Sequence, residues 1–159
     1  MPETHPRNPP LTLGTLFSGV GGTELGLRWA GLCGDPKWQV EIDERAREVL
    51  EKHFPGSARF ADVRHVGASE LERVDVISVT YPCPGNSKAG LRRGHEDPRS
   101  ALWMEAARII GALRPRFVAI ENVAAILAPV RQRHTRVIEQ PAPLATVLCD
   151  LAALGYDAW

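Results

Sequence analysis

The chain predicts an α/β fold, a doubly wound and mostly parallel sheet with helices on both faces, on three observations. Five short runs rich in apolar and β-branched residues alternate with stretches of helical periodicity. A glycine cluster follows the first run, where such folds turn from strand into helix. Chemically capable polar residues stand at the ends of the runs, and in open parallel sheets those ends share one rim where ligands bind.

At 159 residues and 44% hydrophobic, the chain has the size and apolar content of one domain with a real core. Lys plus Arg and Asp plus Glu number 19 each, which excludes a wholesale basic surface but not a local basic patch. No apolar run approaches the roughly 18 residues of a membrane helix, so no span is expected. Met1 to Pro10 is polar and Pro-rich with no apolar core of a leader, so residues 1–10 are expected to be a disordered tail and 11–159 the folded part. Cys33, Cys83 and Cys149 are odd in number and form no CxxC. That pattern fits a reducing, intracellular setting and no disulfide frame or metal site.

The elements follow in order. Leu11 to Phe17 is the first strand, ending in Ser18-Gly19-Val20-Gly21-Gly22. Thr23 to Ala30 reads as a helix, with Gly31 in the usual position after its end. Trp38 to Glu41 is the second strand, and Asp43 is the cap of a helix carrying Ala46, Val49, Leu50 and His53, stopped by Pro55-Gly56. Arg59 to Ala61 is a brief third strand ending at Asp62. Val74 to Thr80 is nearly continuously apolar, as a strand covered on both faces is. Tyr81 to Arg99 is a polar loop with three prolines and three glycines. Ser100 caps the next helix, whose apolar face is Leu102, Ala106, Ile109, Ile110 and Leu113. Arg116 to Ile120 is the fifth strand, running into Glu121-Asn122. Residues 128–143 read as a loop, and Leu144, Val147, Leu148 and Leu151 mark a last helix closed by Gly155.

On the rim, the turn at Gly19, Gly21 and Gly22 lets backbone approach a ligand at a helix N-terminus. Glu41, about twenty residues on, suits ribose hydroxyls. The pair fits a dinucleotide or another nucleoside cofactor. The third glycine of a dinucleotide fingerprint falls at Glu24, which disfavours a closely packed pyrophosphate. Asp62 is a second acid, suited to an exocyclic amine or simply solvated. Cys83 follows Pro82 in a loop with Lys88, Arg92, Arg93 and His95, surroundings that favour a thiolate. Cys149, within an apolar helix, is expected in the core, and Cys33 is expected to be an inert turn residue. Glu121 ends an apolar strand, where partial burial suits proton donation. His95-Glu96-Asp97 are adjacent rather than at ligand spacing, so no metal site is assigned. The basic loop residues suit phosphate contacts or plain solvation.

Taken in register, Phe17 to Gly22, Glu41 in Val-Glu-Ile-Asp, Asp62, Pro82-Cys83 and Glu121-Asn122-Val123 resemble the C5-specific DNA cytosine methyltransferases, from about Leu11 to Trp159. Asp97 to Trp103 resembles the segment after that family's catalytic loop. The resemblance implies a Rossmann-like S-adenosyl-L-methionine-dependent fold, S-adenosylmethionine as cofactor and a flipped cytosine in double-stranded DNA as substrate. It implies that Phe17 packs on the adenine and that Gly19, Gly21 and Gly22 face the methionine part. It implies that Glu41 and Ile42 hold the ribose side, that Asp62 and Val63 hold the adenine side, and that Pro82 lines the cofactor. Cys83 would attack cytosine C6, Glu121 would stabilise the adduct at N3, and Asn122 would hold the catalytic loop.

Two departures stand out. Pro84 follows Cys83 where the family has glutamine, which removes a backbone donor and stiffens the loop. The family's later arginine motif, recognition domain and last strands do not follow Glu121, and Gln132 to Arg136 is read as a loop. The expectation is therefore a catalytic part lacking its C-terminal strands, with Arg116 to Ile120 at a sheet edge, acting in the cytoplasm near the nucleoid with a complementary chain. A non-catalytic cofactor- or partner-binding module is the alternative, and a nicotinamide oxidoreductase would rest on the glycine turn alone.

Overall fold

A computed structural model describes residues 9–82, 101–127 and 142–158. The expected tail falls outside them except for Pro9 and Pro10, which are exposed coil. So do Cys83, the basic residues of its loop, the Ser100 cap and most of the 128–143 loop.

Five strands form one sheet in the order β3-β2-β1-β4-β5: β1 (Leu13–Leu16), β2 (Trp38–Val40), β3 (Ala58–Phe60), β4 (Val76–Val79) and β5 (Phe117–Ile120). Every pairing is parallel. Among the described residues the α-helices are α1 (Gly22–Trp29), α2 (Glu44–His53), α3 (Ala101–Leu113) and α4 (Pro143–Ala153). All five strands fall where the sequence places them within a few residues; β3 is shifted back by one residue from the expected Arg59 to Ala61, and the other four are shorter than expected. Leu11, for instance, makes only an isolated bridge to Cys33. The chain reverses its direction of growth between β1 and β4, which opens a crevice beyond the carboxyl ends of these two strands.

Side chains alternate across the sheet. Leu16, Trp38, Val40, Ile77 and Val79 share the larger core with Ala106, Ile109 and Ile110 of α3 and with Val147 and Leu151 of α4. Gly14 pairs with Trp38, and a Cβ on it would lie 2.2 Å from the indole. The bare backbone there makes room for the ring, whose Nε1 donates to the Glu72 carbonyl at 2.8 Å. Leu13 and Val76 belong to a smaller cluster with Cys33, and Leu27 of α1 packs against it.

Asp43 caps α2 as expected, its carboxylate accepting from Ala46 N at 2.9 Å. Two expectations need correction. Cys149 is exposed rather than in the core, because α4 turns Val147 and Leu151 inward and a residue two positions past Val147 points about 200° away. Leu148 is correspondingly half outside. On α2, Val49 and His53 stay at the surface, while Ala46, Leu50 and the following Phe54 are buried. Cys33 is buried, and burial together with the Asp75 charge raises its thiol pKa, which keeps the thiol in its unreactive form.

Candidate functional site

Beyond the strand ends lies a cleft of about 480 Å³. Phe17 from the end of β1, Glu41 and Ile42 after β2, Asp62 and Val63 after β3, and Pro82 after β4 line it. These six come from four strand ends, and they are six of the positions singled out in the sequence. Arg64, Thr80 and Leu102 line it as well, with no sequence signal that separates them from ordinary surface or core residues.

Phe17 adopts φ 61°, a left-handed conformation that costs a bulky residue of order 1–3 kcal/mol. The N–H groups of Phe17 and Ser18 both donate to the Val40 carbonyl, at 2.8 and 3.2 Å. These bonds hold the strained residue against β2 while its ring lines the cleft. Gly19 (φ 54°) and Gly21 (φ 89°) continue the left-handed path into α1. None of the three glycines lines the cleft itself, and they differ among themselves. A Cβ on Gly21 would sit 2.8 Å from Phe54 and 3.0 Å from Leu50, so Gly21 serves packing against α2. A Cβ on Gly19 or Gly22 would meet nothing within 4 Å.

Both cleft carboxylates already have partners, which the sequence does not reveal. Glu41 accepts from Gly19 N at 2.7 Å through Oε2 and from Asp43 N at 2.8 Å through Oε1. It thereby fastens the glycine turn to the start of α2, and each oxygen keeps a lone pair for a further donor. Asp62 caps the 3-10 turn Val63–His65 by accepting from Arg64 N. Its oxygens also take Arg64 Nε at 2.9 and 3.1 Å and Nη2 at 2.6 Å. The Arg64 side chain is the main reason the Asp62 carboxyl titrates at about 2, far below the usual range. From α3, Arg108 Nη2 donates to the carbonyls of Val63 (2.9 Å) and Val66 (3.0 Å), pinning this turn to the core.

Past β4, Tyr81 is buried and its ring centroid lies 5.8 Å from that of Trp103. Asn122 Nδ2 donates to the Tyr81 carbonyl at 3.0 Å, fastening the backbone two residues before Cys83. Glu121 N donates to the Val79 carbonyl, but the side chain is exposed, not partly buried as expected, because β5 is the end strand of the sheet among the described residues. Neither Glu121 nor Asn122 lines the cleft. Cys83 lies outside the described residues. Among those described, no cluster of three metal-ligating side chains occurs and no helix is long and apolar enough to cross a membrane.

The parallel sheet, its crevice and a nucleoside-sized cleft with two acids define a Rossmann-like methyltransferase fold. Residues 11–157 match the family model described as C-5 cytosine-specific DNA methylase, and the chain belongs to that family. It is 31% identical over 145 residues to Type II methyltransferase M.NgoBV of Neisseria gonorrhoeae, covering 89% of this chain and 34% of that protein. It is 34% identical over 145 residues to Type II methyltransferase M.FnuDI of Fusobacterium nucleatum, covering 91% and 39%. With Type II methyltransferase M2.BsuMI of Bacillus subtilis it shares 36% over 117 residues, covering 71% and 29%. The chain thus spans about a third of the length of the curated relatives it matches.

Proposed function

We propose that this chain forms the S-adenosylmethionine-binding and catalytic part of a DNA cytosine-5 methyltransferase acting on a flipped cytosine in double-stranded DNA. The observation that carries the proposal is the cleft in which Phe17, Glu41, Ile42, Asp62, Val63 and Pro82 meet. Its chemistry fits the cofactor. Phe17, Ile42 and Val63 offer apolar surface to a purine, and Glu41 and Asp62 accept from hydroxyl and amine donors.

When bound, S-adenosylmethionine supplies an electrophilic methyl group on a sulfonium. The Cys83 thiolate bonds to cytosine C6, while Glu121 holds a proton at N3 and so draws the electron pair onto C5. The new C5–methyl bond would use that pair as the methyl–sulfur bond breaks and its electrons stay on sulfur, leaving S-adenosylhomocysteine. Loss of the C5 proton to a base then expels the thiolate and restores the ring. The Asn122 bond to the Tyr81 carbonyl supports a role in setting where the Cys83 loop begins. Basic residues of that loop, Lys88, Arg92, Arg93 and Arg99, are suited to phosphate contacts.

Calorimetric titration with S-adenosylhomocysteine and, separately, with NAD tests the assignment. Saturable binding of the first and none of the second is expected. Binding of NAD alone would overturn it.

A further inference from the structure

Beneath the glycine turn lies a buried polar row. Thr15 of β1 is paired with Gln39 of β2 on one side and Ser78 of β4 on the other. Their relative exposures are 2%, 0% and 1%. Over this row sits Glu24, 1% exposed, in the first turn of α1. A glutamate three positions past the N-cap ordinarily reaches back to the cap amide. Here the Gly21 amide is already taken by the Ser18 carbonyl at 3.0 Å, and Glu24 turns inward. Its Oε1 accepts from Thr15 Oγ1 at 2.8 Å and from Gln39 Nε2 at 3.2 Å. Thr15 Oγ1 also lies 2.6 Å from Ser18 Oγ.

A threonine hydroxyl has one hydrogen. Since Thr15 gives it to Glu24, the short contact to Ser18 must be donated by Ser18. The acceptor on Glu24 therefore orients the whole chain: Ser18 to Thr15, Thr15 to Glu24, with Gln39 supplying the second donor. Ser18 stands between Phe17 at φ 61° and Gly19 at φ 54°, two residues held in left-handed conformations. Glu41 fastens this turn from the cleft side through Gly19 N, and Glu24 fastens it from the sheet side through Ser18. Burying a carboxylate among neutral donors is costly. Its place near the positive end of α1 offsets part of that cost, and an apolar residue would avoid it altogether.

We infer that Glu24 is a positioning residue for the cofactor: acting through Thr15 and Ser18, it holds the Ser18–Gly22 turn in the shape that receives the amino-acid end of the ligand. This rests on the proposed S-adenosylmethionine site, and it assigns a task to a side chain outside the cleft lining.

The test compares binding of S-adenosylhomocysteine with that of adenosine, which lacks the amino-acid end, alongside thermal unfolding. Glu24→Leu keeps the bulk and removes the acceptor. It should weaken S-adenosylhomocysteine by about tenfold or more, the scale of a lost hydrogen bond, and adenosine by less than about threefold. Glu24→Gln keeps an acceptor and should restore both to within about threefold of wild type. Thr15→Val, which breaks the chain at its middle, should reproduce the Leu phenotype and serves as the test if Glu24→Leu does not fold. Equal loss for both ligands, or Leu and Val variants that bind like wild type, would overturn the inference. Wild-type protein binding neither ligand would instead overturn the cofactor site on which it rests.

Discussion

Gly21 and Gly22 are adjacent, yet the structure gives them opposite sensitivities to a single methyl group. At Gly21 an alanine Cβ meets Phe54 at 2.8 Å and Leu50 at 3.0 Å, on a backbone at φ 89°. The left-handed conformation costs an L-residue about 1–2 kcal/mol. Overpacking against two buried side chains adds about 1–3 kcal/mol. The reduced freedom of the unfolded chain returns about 0.4–1 kcal/mol. Gly21→Ala should therefore lose about 1–4.5 kcal/mol, a large part of the about 5–15 kcal/mol a domain possesses. At Gly22 the same Cβ meets nothing within 4 Å, and the residue opens α1. Gly22→Ala should leave stability unchanged or raised by at most about 1 kcal/mol. It should still weaken S-adenosylhomocysteine by about tenfold or more, because the methyl group stands where the ligand is proposed to approach. Urea unfolding reads the first effect and calorimetric titration the second. A Gly21→Ala variant as stable as wild type would refute the packing argument. A Gly22→Ala variant with wild-type affinity would refute the proposed approach of the ligand to the turn.

Three further outcomes are expected. Asp43→Ala removes the α2 cap and should cost about 1 kcal/mol with little effect on cofactor affinity, whereas Glu41→Ala also frees the glycine turn and should weaken affinity much more. Equal affinity losses in two folded variants would contradict this. Asp62 titrates at about 2 when folded, below its ordinary value of about 3.9, so its contribution is present above about pH 4 and is lost as pH falls toward 2. Because Arg64 is exposed, the Asp62→Asn difference should be only about 0.2–1 kcal/mol at pH 6 and should vanish near pH 2, read by denaturant unfolding at both pH values. A thiol reagent should label Cys149 in the native protein and reach Cys33 only on unfolding. In a Cys149→Ser background, DNA containing 5-fluorocytosine and the methyl donor, with any complementing chain, should trap a covalent complex that Cys83→Ser abolishes. Trapping that persists without Cys83 would sink the nucleophile assignment.

Much of the candidate site was legible because it lies at strand ends. A parallel strand is set by a short apolar run, and the residue after the run must emerge on the rim wherever the strand sits in the sheet. That reasoning placed Glu41, Asp62 and Pro82 without any knowledge of strand order, and all three line one cleft, as does Phe17, which the family resemblance singled out; the glycine turn, Glu121 and Asn122, placed on the same rim, do not line it. Local chemistry was equally readable. Asp43 caps its helix through a bond spanning three residues, and no distant element is involved.

What the sequence by itself determined is therefore the alternation of elements, the one-sided rim and the residue types offered there. The tertiary structure alone decided what each of those residues is already bound to. Glu41 meets Gly19 across 22 positions, Glu24 meets Gln39 across 15, and Asn122 meets Tyr81 across 41. It also decided which helix positions face inward, burying Trp103 and leaving Cys149 in solvent. The physical reason is the same throughout. Periodicity and capping act within a turn or a strand, whereas a carboxylate's partners and a side chain's burial depend on which distant segments the sheet order brings alongside.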